Sequence, residues 1–391
     1  MDTALSPDLA ALAPRLRALV AARAPAALER LRQWVERESP STDKEAVDAC
    51  GRAICDDFVA AGASLTLHRQ AEAGDHYELV LAPGREPGPG LLLLGHVDTV
   101  YPLGTLPSMP FRQAQGRVAG PGVLDMKGGV LAAYEAWVAL RHLNLEARRR
   151  VMLLLVSDEE TGSATSRPLI EQLAQHAGAV LVLEPGSGPE GRLKTARKGI
   201  ASFDVRATGA AAHAGVDFAQ GASAVLELAR QTVEWARLTD LERGVTVNPG
   251  VLRGGTRSNV VAAEAVLELE ARAWRLGDLR AVEQRILAAR PCDERVKLEV
   301  KGGINRPPME RSAGGAALFA RARELGVMLG LDLEESATGG GSDGNFTAAL
   351  GVATLDGLGP AGGGAHSPGE YCLAETLVSR SALLGLLLLA L

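Results

Sequence analysis

Hydrophobic residues are distributed in two different ways along this chain. In the first half, wholly apolar runs end abruptly in ionisable residues: Leu91 to Leu94 runs into Gly95-His96-Val97-Asp98, Val151 to Val156 into Ser157-Asp158-Glu159-Glu160-Thr161-Gly162, and Ala179 to Leu183 into Glu184-Pro185-Gly186. Short continuous apolar runs bounded by turn residues fit strands buried on both faces, as in a parallel sheet. In such sheets ligands gather outside the carboxyl ends of the strands, where these ionisable residues fall. Helical spacing of Leu28, Leu31, Trp34 and Val35 predicts a helix over 26–36, and a second is predicted over 44–61 with Asp43 or Thr42 as its cap. Further helices are predicted over 130–140 and 316–329, and shorter strand-like runs lie at 65–68 and 77–81. The leucine-rich end, Leu383 to Leu391, is about half the length of a membrane-spanning helix and reads as a core-facing final helix.

Between about Lys194 and Arg306 the pattern becomes strand, strand, helix, strand, strand, helix, strand, and Glu268, Glu270 and Arg272 alternate with apolar neighbours. Alternation at period two marks antiparallel strands with one wet face. The fold class expected is therefore α/β, a mixed, mostly parallel sheet sandwiched by helices, interrupted by a smaller α+β insertion. The larger domain would comprise 1–195 and 308–391, and the insertion 196–307.

A length of 391 residues agrees with two cores. With 47% hydrophobic and 23% charged residues and a net charge of -6, nothing in the composition asks for nucleic acid as a partner. The four cysteines, Cys50, Cys55, Cys292 and Cys372, show no CxxC spacing and are too few for a disulfide framework, which favours a reducing cytoplasm. Arg15, Arg17 and Arg23 interrupt the N-terminal region, so no signal-peptide core and no membrane segment are expected.

Candidate chemistry sits at the strand ends. His96 has the chemistry of a metal ligand, and Asp98 that of the carboxylate orienting its ring; both also suit a hydrogen-bonded loop cap. Asp125 lies in the glycine-rich stretch Gly120 to Gly129 just before a helix, as a ligand or as an N-cap. Adjacent side chains point apart, so one of Glu159 and Glu160 can bind metal while the other serves as a general base, although a solvated acidic loop has the same composition. Glu184 follows the third strand, and His366 lies in the loop Gly359 to Tyr371. Five nitrogen and carboxylate ligands suit zinc, with cobalt or manganese also possible, and the mixture suggests two ions sharing one carboxylate. His68, His76, His142 and His176 have no such setting and read as surface or structural.

The motifs Gly95-His96-Val97-Asp98-Thr99-Val100, Gly120-Pro121-Gly122 through Asp125-Met126-Lys127-Gly128-Gly129, Asp158-Glu159-Glu160-Thr161-Gly162-Ser163, Leu183-Glu184-Pro185, Ala212-His213-Ala214-Gly215, Ser258-Asn259-Val260 and His366-Ser367 with Glu370-Tyr371 occur in one order over nearly the whole chain. In that combination the sequence resembles the co-catalytic dizinc metallopeptidases of the aminoacylase and glutamate carboxypeptidase (carboxypeptidase G-like) family. The resemblance implies a zinc-peptidase catalytic domain with a lid and dimerisation insertion. It implies two zinc ions per subunit, His96 and Glu184 on one, Glu160 and His366 on the other, and Asp125 bridging. Asp98 would orient His96, Glu159 would be the general base, and His213, which in relatives can reach the partner subunit's site, would stabilise the oxyanion. Lys198, Asn259, Arg272 and Arg306 align with positions near the substrate, Arg306 first among them for gripping a carboxylate. Met126 is a departure, standing where many relatives carry a second acid. The function implied is release of a C-terminal amino acid, glutamate first, from peptides or N-acyl and folate-type conjugates. The substrate would be a small molecule or short peptide with a free carboxylate, and the protein a homodimer. An aminoacylase is the alternative, and a silent metal-binding scaffold the alternative from another class.

Overall fold

A computed structural model describes residues 8–391. Contacts divide the chain into two units, one built from residues up to Thr195 with Arg311–Thr338 and Ser342–Leu391, the other from Ala196–Glu310 with Gly339–Gly341.

The first unit carries a six-stranded sheet in the order Ser64–His68, His76–Ala82, Val151–Val156, Gly90–His96, Ala177–Val182, Thr354–Leu355. The last four run parallel, and the first two are antiparallel additions at one edge. The Gly90–His96 and Val151–Val156 strands are buried at every position, as their unbroken apolar runs require. Because they are parallel, His96, the Ser157–Glu160 segment and Glu184 all emerge at one edge of the sheet.

One face of the sheet is covered by the helices Leu9–Val35, Lys127–His142 and Ala374–Ala390 in a single core with Lys44–Ala60. The first helix starts well before the expected residue 26 and runs through Pro14 and Pro25. Its buried stripe Leu12, Leu16, Val20, Ala27 and Leu31 outweighs the roughly 3 kcal/mol that an interior proline costs. The final helix is buried nearly all round, which accounts for its leucine content. Among the described residues no helix is long and apolar enough to cross a membrane. Close packing of the Lys127–His142 helix on the strand end before Glu184 depends on Gly129, where a Cβ would lie 1.9 Å from the Leu183 carbonyl oxygen.

A small second sheet escapes sequence patterning because its strands have two or three residues. Gly362–Gly363 pairs with Tyr371–Leu373, which pairs with Arg117–Ala119, which pairs with Arg112–Ala114. It ties the loop carrying His366 to the segment leading into Asp125.

The second unit is a four-stranded antiparallel sheet in the order Thr246–Gly254, Glu264–Ala273, Gly199–Thr208, Lys297–Arg306, with the helices Ala224–Ala236 and Leu276–Leu287. Its core is formed by alternate strand residues such as Ala201, Phe203, Val205, Leu267 and Leu269 against Leu228, Trp235, Leu279 and Ile286.

Candidate metal centre

His96 ends its strand with the ring buried, and its Nε2 lies 3.1 Å from Asp125 Oδ1 and 3.6 Å from Glu184 Oε1. His366 occupies the left-handed region at φ 61°, uncommon for a residue other than glycine. Its Nε2 lies 3.3 Å from Asp125 Oδ2 and 3.2 Å from Glu160 Oε2. Asp125 therefore offers one carboxylate oxygen to each histidine, and each histidine has a glutamate of its own. Ligand atoms of His96, Asp125 and Glu160 all fall within 4.8 Å of one another. The five residues singled out as ligands are thus brought together, while Glu159 sits beside them on the short turn Glu159–Thr161.

Concentrating carboxylates distorts their titration. Burial opposes charge on the His96 ring, yet hydrogen bonding to Asp125, Asp98 and Glu184 raises its pKa well above the ordinary value. Asp125 and Glu160 likewise lift His366 to about 10. Burial works to raise the Asp125 carboxyl, but His366 and His96 win and hold it far below the usual range. Glu160 is raised, chiefly by burial. Without a cation, the imidazoles take up protons to offset the acids. Glu160 Oε1 is buried with no hydrogen-bond partner, an open coordination position in a site of suitable donors. The donor set fits divalent metal.

Asp98 differs from expectation in detail. His96 Nδ1 meets the backbone carbonyl of Asp98 at 2.9 Å, nearer than its carboxylate Oδ1 at 3.5 Å. That carboxylate is engaged by the Ser41 hydroxyl at 2.7 Å and by the amides of Glu159 at 3.4 Å and Glu160 at 3.2 Å. A single aspartate thus faces the imidazole with its carbonyl and carboxylate and holds the acid pair through its side chain.

Sequence reasoning gave Glu370 no role, and the structure makes it the anchor of the Asp125 loop. Fully buried, it accepts the amides of Gly122 at 3.1 Å, Leu124 at 2.8 Å and Asp125 at 3.0 Å. Tyr101 adds its hydroxyl at 2.6 Å, and the same oxygen lies 3.0 Å from the Ser367 carbonyl beside His366. The signal in the sequence was the motif His366-Ser367 with Glu370-Tyr371, which names the residue but not its partners. Met126, the departure from the family pattern, is buried, and its sulfur accepts the His96 amide at 3.3 Å. Lys127 reaches back to the carbonyls of Trp34 at 3.1 Å and Arg37 at 3.0 Å, closing the end of the first helix.

The remaining predicted residues belong to the second unit. Ile200 pairs with Arg272 on one side and Arg306 on the other, so both arginines share its face of the sheet. Arg306 is buried, and a Cβ on Gly341 would lie 2.9 Å from its Cδ. Arg272 is bonded to Glu270 at 2.6 Å and to the Gly339 carbonyl at 2.7 Å. Lys198 lies 5.4 Å over the Trp274 ring, its pKa lowered by burial and by Arg272. His213 is exposed, accepts the Gly215 amide at 3.1 Å and bridges to Val260, next to the exposed Asn259.

The sequence of residues 92–390 matches the family model described as peptidase family M20/M25/M40. Carboxypeptidase G2 of Pseudomonas sp. (strain RS-16) is 30% identical over 351 residues, covering 88% of this chain and 83% of that protein. Among solved structures, a tripeptidase from Staphylococcus aureus superposes with a TM-score of 0.78 at 20% identity, covering 94% of this chain and 99% of its own. An M20 family metallo-carboxypeptidase from Sulfolobus solfataricus does so at 0.71 and 16% identity, covering 93% and 99%. Extended over most of the length, and carried by a centre whose donors suit divalent metal, the match makes this chain a member of peptidase family M20/M25/M40, a hydrolase of the metallopeptidase kind.

Proposed function

We propose that this hydrolase is a dizinc carboxypeptidase that cleaves the amide bond before a C-terminal glutamate in peptides or in N-acyl and folate-type conjugates. The observation that carries the reading is the Asp125 carboxylate, with one oxygen toward His96 and the other toward His366. His96 and Glu184 would hold one zinc, His366 and Glu160 the other, and Asp125 both. When bound, such a pair supplies Lewis acidity, bringing the pKa of water toward neutrality and polarising the substrate carbonyl. Glu159, on a turn whose amides Asp98 holds, takes the proton from the attacking water and delivers it to the departing nitrogen.

Substrate recognition falls to the cationic face formed by Lys198, Arg272 and Arg306, with Asn259 as a further polar contact. A C-terminal glutamate presents two carboxylates at neutral pH, and a face with more than one cation suits both. His213 stabilises the oxyanion. The exposed Val216 and Phe218 beside it, and the open edge of the strand Thr246–Gly254 near exposed Leu226 and Val233, support a homodimer formed through this unit.

The test is metal analysis of the purified protein combined with a panel of N-acyl and peptidyl substrates that vary the C-terminal residue. Two zinc ions per chain and a preference of at least tenfold for glutamate are expected, with Glu159→Ala inactive. One ion per chain, equal rates for all C-terminal residues, or an active Glu159→Ala would each overturn the corresponding part.

A further inference from the structure

Of the histidines outside the metal cluster, His76 is the one that is fully buried, and it opens the strand His76–Ala82. Tyr77 pairs with Leu155, which brings His76 beside the end of the strand from which Ser157 and the acidic turn emerge. Ser157 donates its amide to His76 Nδ1 at 3.3 Å. An amide can only donate, so Nδ1 is the unprotonated nitrogen and the neutral ring carries its hydrogen on Nε2. Nε2 lies 3.0 Å from Thr165 Oγ1, which therefore accepts and turns its own hydrogen to Asp158 Oδ2 at 2.8 Å. The direction of each bond follows from the one before it.

Asp158 Oδ2 also accepts the amides of Thr165 at 2.7 Å and Ser166 at 3.3 Å, and its carbonyl accepts the Ser163 amide at 2.8 Å. The loop 158–166 is thus closed on the residue preceding Glu159. Ser157 has a separate anchor, its hydroxyl on the Asp75 carbonyl at 2.5 Å, so the strand end does not depend on His76. What His76 adds is a fixed donor for Thr165. Burial lowers its pKa, keeping the ring neutral and the chain of bonds in one sense.

We propose that His76 is a positioning residue, acting through Thr165 and the Asp158 carboxylate to fix the turn that presents Glu159 and Glu160. Asp98 secures the two glutamate amides from one side, and the His76 chain secures the preceding residue from the other. The inference rests on the roles proposed above for Glu159 and Glu160.

Thr165 is exposed, so Thr165→Val removes the hydroxyl without opening a cavity in the core. The variant is expected to lower kcat at least fivefold with KM within twofold, when assayed well below its own Tm so that any loss of stability does not enter. It is also expected to lose zinc at least threefold more readily in competition with a chelator, because Glu160 is less firmly held. Thr165→Ser, which restores the hydroxyl, should recover both, and His76→Gln, which keeps a donor near the Nε2 position, should retain more activity than His76→Leu. Wild-type kcat and zinc retention in Thr165→Val, or losses that Thr165→Ser does not recover, would overturn the proposal. Glu159→Ala assayed alongside separates the two failures: an active Glu159→Ala removes the assigned base and this inference with it, whereas an inactive one beside an unimpaired Thr165→Val removes only the positioning role.

Discussion

The edge of the parallel sheet and the cationic face of the second unit solve opposite electrostatic problems. At the sheet edge Asp125, Glu160 and Glu184 crowd two imidazoles, and the crowding raises the pKa of both rings, while burial raises that of the Glu160 carboxyl. On the other face Arg272 already has Glu270 and a carbonyl, and Lys198 has the Trp274 ring. One region has to take its positive charge from outside the chain; the other is largely balanced by its own residues. Metal binding and the carboxylate recognition proposed for the second unit would therefore rest on different physics, and each can be perturbed separately.

The widest separation is expected on changing pH. Because the surrounding acids raise the pKa of both His96 and His366, the latter to about 10, metal binding has to displace protons from these rings. Affinity for zinc should rise with pH, by between about ten- and a hundredfold per unit for one or two protons released, and level off as His366 passes its own pKa. Calorimetry in buffers of different ionisation heat counts the protons, and a count of zero would erase the contrast. Next comes Glu370→Ala, which leaves three backbone amides of the Asp125 loop without their acceptor. It should weaken metal binding by about 10- to 100-fold and destabilise the protein by roughly 3 kcal/mol, read by chelator competition and denaturant unfolding. Smallest is Arg306→Ala, which should raise KM about tenfold with little change in kcat and no change in metal content. A loss of metal in that variant would mean the two regions are not separable.

Much of this division was legible in the sequence, for identifiable reasons. Strands buried on both faces leave an unbroken apolar signature, so the places where His96, Glu160 and Glu184 emerge could be read directly. The alternation around Glu268 and Arg272 marked the change to a sheet with one wet face. Other features leave no local trace. The first helix was obscured by two prolines that only tertiary packing can outweigh, and the strands around His366 are too short to have a period. The roles of Glu370 and His76 depend on partners far along the chain, and no spacing rule reaches that distance. Asp98 was assigned to His96, which it meets with both its carbonyl and its carboxylate, while its further bonds to Ser41 and the Glu159 and Glu160 amides left no trace in the sequence.

Glu370 and the amide of Asp125 are 245 residues apart in the chain, yet each completes the other's surroundings. During synthesis the sheet edge bearing His96, Glu160 and Glu184 leaves the ribosome long before His366 and the carboxylate that shapes the Asp125 loop. A nascent chain therefore carries only part of the donor set until its last segment is released.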